Sequence, residues 1–103
     1  MTPEGKVVAH LVARCKQLGL EQRKLGYEGR RGAPDRMVIA PHAIGFLEVK
    51  RPGGKPSPEQ IEEIRRLSGV PCVVAMVVDS TDAVDAALDT LTALSDTWKE
   101  ERR

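Results

Sequence analysis

Residues 32–60 read GAPDRMVIAPHAIGFLEVKRPGGKPSPEQ. Two apolar runs stand out, Arg36 to Ala40 and Ile44 to Val49, and the three residues Pro41-His42-Ala43 between them suit a short turn, so the pair reads as two neighbouring strands. Asp35, Glu48 and Lys50 lie among or beside these apolar residues, where packing does not require charge. After the second run, Pro52, Gly53, Gly54, Pro56 and Pro58 break any regular pattern. Ser57 is placed to cap a helix from Pro58 to about Ser68, with Ile61, Ile64 and Leu67 facing inward and Gly69 ending it.

Working outward from this stretch, Val7, Val8, Leu11, Val12, Cys15 and Leu18 recur at the three- and four-residue spacing of an amphipathic helix. Thr2 is a suitable N-cap, Pro3 fits the first helical position, and Gly19 stops the helix. Leu20 to Tyr27 alternates weakly and is polar enough to predict an edge strand. A loop rich in glycine and arginine, Gly29 to Pro34, follows it. CVVAMVV, Cys72 to Val78, is a continuous apolar run of the kind expected of a strand buried on both faces. Ser80 or Thr81 then caps a last helix that puts Val84, Ala87, Leu88, Leu91 and Leu94 on one side. The predicted order is α-β-β-β-α-β-α, an α/β fold with a central mixed β-sheet flanked by helices. Residues 3–95 are expected to form one domain, and the charged tail DTWKEERR, residues 96–103, is expected to fray.

A chain of 103 residues is long enough for one hydrophobic core, with oligomerisation as a plausible supplement. Its 41% hydrophobic and 30% charged residues are ordinary for a globular protein, and no apolar run approaches the roughly 18 residues needed to span a bilayer. The first residues lack the pattern of a secretion signal, so no membrane association and a cytoplasmic location are expected. Cys15 and Cys72 belong to no metal-ligand pattern and are read as buried free thiols; His10 and His42 likewise have no partner at ligand spacing. The net charge of +1 conceals an asymmetry: residues 14–66 carry 12 Lys/Arg against 7 Asp/Glu, and residues 67–103 carry 3 against 7. The basic half holds the stretch quoted above, which favours a polyanionic partner.

On a strand, residues i and i+2 share a face, so Glu48 and Lys50 project together. If the two runs are hairpin partners, Asp35 can approach Glu48 from across the sheet. Two carboxylates so placed repel each other unless a cation or proton intervenes. Oxygen ligands without a histidine cluster suit Mg²⁺ or Mn²⁺, and a lysine beside them can stabilise charge developing on a phosphate. That chemistry is phosphodiester hydrolysis. The spacing alone leaves a second reading open, because D-x(12)-E-x-K arises often by chance and a Glu/Lys pair on an exposed strand face is commonly a solvated surface.

The runs GAPDRMVI and GFLEVKRPGGKPSPEQ closely resemble the small VRR-NUC branch of the PD-(D/E)XK nuclease superfamily. That pattern combines a helical glutamate, G-x-P-D, E-x-K and a glutamine on the next helix, and Glu4, Asp35, Glu48, Lys50 and Gln60 stand in those places. The resemblance extends over roughly residues 3 to 92. It implies a restriction-endonuclease-like core in which Asp35, Glu48 and the Val49 carbonyl bind the metal and Glu4 holds a metal-bound water. It further implies that Lys50 positions or activates the attacking water while Gln60 orients Lys50 or a phosphate.

The basic residues Arg30, Arg31, Arg36, Arg51 and Lys55 flank this pattern as candidate phosphate contacts, which would add affinity without reading sequence. Tyr27, Phe46 and Trp98 are too few to build a base-stacking platform, so duplex or branched DNA is the expected substrate. The resemblance implies a metal-dependent endonuclease acting on branched DNA such as Holliday junctions. It also implies a homodimer, in a bacterial or phage-infected cell. The competing readings are a DNA-binding scaffold that has kept the fold, and a nuclease of flaps, nicks or plain duplex.

Overall fold

The computed structural model describes residues 1–101. These form α1 (Pro3–Leu18), β1 (Glu21–Lys24), β2 (Arg36–Ile39), β3 (Ile44–Val49), α2 (Pro58–Ser68), β4 (Val73–Val78) and α3 (Thr81–Glu101). The expected element order is therefore observed. The strands make one sheet in the order β1-β2-β3-β4, antiparallel across the first two pairs and parallel between β3 and β4. The parallel step is allowed by the crossover through α2.

The ends of α1 are formed by the residues expected to form them. Thr2 Oγ1 accepts from the Gly5 N–H at 3.0 Å, and Gly19 closes the helix at φ 70°. On one side of the sheet, Val7, Leu11 and Cys15 of α1 and Val84, Ala87, Leu88 and Leu91 of α3 meet Val38, Leu47, Val49, Val74 and Val78 in the hydrophobic core. Gly45 of β3 belongs to this face: an added Cβ there would lie 3.3 Å from a Leu91 methyl. His10 and Arg14 of α1 both bond the Asp85 carboxylate, at 2.8 and 3.1 Å, and so tie α1 to α3 beside the core.

Several expectations are corrected. β4 has α2 and α3 over its faces, as its apolar run predicts, but only Val74 and Val78 are fully buried, because it is an edge strand beyond which no further strand pairs among the described residues; an apolar run does not distinguish an edge from a centre. Cys72 lies just outside this strand, half-buried and at φ 63°, while Cys15 is fully buried and its thiol pKa is pushed up by that burial. α2 keeps the expected face only in part: Ile64 and Leu67 are half-buried, but Ile61 is 55% exposed and Glu63 only 6%. β1 is also shorter than Leu20 to Tyr27, and α3 continues through residues 96–101, where Trp98 stacks on His42 with ring centroids 4.9 Å apart.

Candidate active site

Alternation along β3 sends Leu47 and Val49 into the core, and Phe46 and Glu48 to the opposite face, which α2 covers. Burial on that face increases along the strand, from exposed Ile44 to Glu48 at 1%. Asp35 directly precedes β2. Because Arg36 pairs with Leu47, one further step of the register brings Asp35 beside Glu48. Its Oδ2 accepts the Val49 N–H at 3.0 Å, which fixes the carboxylate against the end of β3.

The Glu48 carboxylate is held asymmetrically. Oε2 accepts from the Gln60 Nε2 amide at 2.8 Å and lies 3.1 Å from Lys50 Nζ. Oε1 is buried and has no hydrogen-bond partner among the described residues. Burial raises the Glu48 pKa most; the hydrogen bond to Lys50 opposes this and the charge of Asp35 reinforces it, for a net upward shift. A buried carboxylate oxygen without a donor costs about 1–3 kcal/mol or more. Such an atom, in a carboxylate whose residue neighbours Asp35, is suited to a hard cation.

Gln60 is oriented by the way α2 begins. Ser57 and Gln60 form a reciprocal capping box: the Gln60 N–H donates to Ser57 Oγ at 3.2 Å, and Gln60 Oε1 accepts the Ser57 N–H at 2.8 Å. With its carbonyl oxygen taken by the cap, the amide presents its NH₂ to Glu48. Ahead of the helix, Arg51-Pro52-Gly53-Gly54 closes a turn through Gly54 N–H to Arg51 O at 2.8 Å, with Gly53 at φ 78°. Proline and then glycine at its centre fit a type II turn.

The other anticipated residues separate into groups. Glu4 lies exposed in the first turn of α1, and the described residues contain no cluster of three or more His, Cys, Asp or Glu arranged to hold a metal. Among the described residues, Asp35 and Glu48 therefore have no third carboxylate beside them. Arg30 donates to Glu63 at 2.9 Å, and Arg36 donates to Gln22 at 3.1 Å. Arg36 also pairs with core-facing Leu47, which puts it on the side of the sheet away from Glu48. Arg31, Arg51 and Lys55 are exposed and form no ion pair among the described residues.

The residues that sequence reasoning missed are Tyr27 and Glu63. The Tyr27 hydroxyl donates to Glu63 at 2.7 Å. The only sequence signal for Glu63 is its position three residues after Gln60, on the same helical face.

No family model matches the chain. It is similar to "Putative nuclease p44" of Acyrthosiphon pisum secondary endosymbiont phage 1, with 41% identity over 80 residues that cover 77% of this chain and 85% of the relative. It is also similar to a solved structure described as a VRR_NUC domain, with a TM-score of 0.75 and 41% identity over 86% of this chain and 97% of the other. Identity at that level over nearly the whole of both relatives, together with a mixed sheet that brings Asp35, Glu48, Lys50 and Gln60 to one place, leads to one conclusion: the chain belongs to the VRR-NUC family of nucleases.

Proposed function

We propose that the protein is a divalent-metal-dependent DNA endonuclease that uses Mg²⁺ or Mn²⁺. The observation that supports this most is the divided carboxylate of Glu48, the residue that neighbours Asp35: one oxygen is held by Lys50 and Gln60, and the other is buried without a donor among the described residues. Asp35, Glu48 Oε1 and the Val49 carbonyl would hold the cation, and Glu4 would contribute through water from α1. A cation bound there supplies Lewis-acid stabilisation of phosphate oxygens and acidifies a coordinated water.

The chain's own residues account for the rest. Lys50, anchored by Glu48, directs its ammonium at the entering water or a phosphate oxygen. Gln60 keeps Glu48 from rotating its unpartnered oxygen away. Arg31, Arg51 and Lys55 hold the phosphate backbone on either side, a charge-driven contact that weakens with salt. In the net reaction a water oxygen attacks phosphorus in line, the bond to the leaving sugar oxygen breaks, and that oxygen takes up a proton.

Branched DNA such as a Holliday junction is the proposed substrate and a homodimer the proposed assembly, since symmetric cutting of two strands needs two sites related by a two-fold axis. The phage relative suggests action inside an infected bacterial cell. The test is a panel of wild type and Lys50→Ala against four-way junction, flap and linear duplex with Mg²⁺ or Mn²⁺. Wild type should cut the junction in preference, while Lys50→Ala binds without cutting. Preference for flap or duplex would replace the branched-substrate reading, and binding without cutting by wild type on every DNA would establish the scaffold reading instead.

A further inference from the structure

We propose that Glu63, with Tyr27 and Arg30, is a positioning device that sets the place of Asp35 relative to Glu48. The inference deepens the nuclease reading above and rests on it for its catalytic consequence. The segment from Leu25 to Asp35 is a loop closed at its base by the Leu25 N–H donating to Asp35 O at 2.8 Å. Asp35 is thus the last residue of a loop: the sheet register continues to its backbone from one side, and its carboxylate is tied to β3 through the Val49 N–H.

What holds the loop is α2. Both oxygens of buried Glu63 are used: Oε1 by Arg30 Nη2 at 2.9 Å and Oε2 by the Tyr27 hydroxyl at 2.7 Å. The Arg30 guanidinium also lies over the Tyr27 ring, 5.9 Å from its centroid. Nearer to Asp35, Gly32 at φ 91° runs so close to the helix that an added Cβ would be 2.5 Å from Glu59 O. Pro34 is fully buried. Gln60, on the same face of α2 and one turn before Glu63, bonds Glu48. The two carboxylates of the site come from different parts of the chain, and α2 is the common reference for both. An apolar contact could bind the loop to the helix equally strongly, but paired, directional bonds to one carboxylate also fix where along the helix the loop sits.

The readout is the Val49 N–H, which donates to Asp35 Oδ2, compared with the Lys50 N–H, which donates to Val78 O at 2.9 Å in the β3–β4 ladder. In metal-free Glu63→Ala, the Val49 amide should exchange with solvent at least about tenfold faster relative to Lys50 than in wild type, by NMR, as a local opening does. A purely structural role would speed both amides equally, and that result, or no change in their ratio, would overturn the proposal. Tyr27→Phe, measured the same way, decides the question if Glu63→Ala does not fold. In cleavage assays, Glu63→Ala should raise the half-saturating Mn²⁺ concentration several-fold with the maximal rate nearly kept, and Glu63→Gln should restore part of the loss. A wild type that cuts no DNA would remove the nuclease reading while leaving the amide comparison able to judge the positioning role.

Discussion

Two buried glutamates lie on either side of the contact between sheet and α2. Glu48 on β3 is 1% exposed and Glu63 on α2 is 6% exposed. Glu63 has a donor on each oxygen, whereas Glu48 has two neighbouring donors on one oxygen and none on the other among the described residues. Burial alone therefore does not mark a functional acid. A buried charge whose hydrogen bonds are complete joins parts of the fold together, and one left incomplete calls for a further partner, which for Glu48 is the cation proposed above.

The largest expected effect breaks the comparison on the Glu48 side. Glu48→Gln should lower DNA cleavage by roughly 10²–10⁴-fold in single-turnover assays. Its metal-free stability by urea unfolding should change by less than about 1 kcal/mol, because an amide carbonyl can still accept from Lys50 and Gln60. Loss of activity together with collapse of the fold would show that Glu48 resembles Glu63 after all.

Next in size, Gly32→Ala should cost about 2 kcal/mol or more in the same unfolding experiment, since it adds a Cβ at positive φ and against a backbone carbonyl. Glu63→Ala should cost about 1–3 kcal/mol, from the Tyr27 hydroxyl and Arg30 losing their acceptor. Half of Arg30 reaches solvent, which keeps the value at the modest end.

The smallest effect is one of pH. Burial, followed by the hydrogen bond to Glu63, pushes the Tyr27 pKa up to about 12 from 10.0. The folded state keeps the phenol proton where the unfolded chain loses it, so this contribution to stability is complete below pH 10 and disappears as the pH rises towards 12. Wild type should lose stability more steeply than Tyr27→Phe across that window. Parallel curves would separate Tyr27 from the Glu63 cluster.

Much of the fold was legible because hydrophobic period and helix caps are local signals. Thr2, Gly19 and Ser57 mark helix ends by chemistry contained within a few residues, and each end forms where expected. Asp35, Glu48, Lys50 and Gln60 were legible as a pattern, and they do come together. What the sequence did not reveal depends on partners distant along the chain. In IEEIRR, residues 61–66, Glu62 and Glu63 look equivalent, yet Glu62 is held by Arg65 and Arg66, with its pKa lowered to about 2, while Glu63 turns inward to a loop more than thirty residues earlier. The same distant contacts leave Ile61 outside. Arg30 and Arg36 read in the sequence as candidate phosphate contacts, and their bonds to Glu63 and Gln22 are not legible there for the same reason: the residues they bond are not their sequence neighbours.

The capping box at Ser57 and Gln60 has a consequence for engineering. A helix start of this type is satisfied by glutamate as readily as by glutamine at its third position, and glutamate also complements the positive end of the helix. A campaign that ranks variants by melting temperature would therefore favour Gln60→Glu. That exchange keeps the acceptor the cap uses but removes the NH₂ that reaches Glu48, so the stabilised variant would retain its first helical turn and set a second negative charge against the carboxylate proposed above to hold the cation.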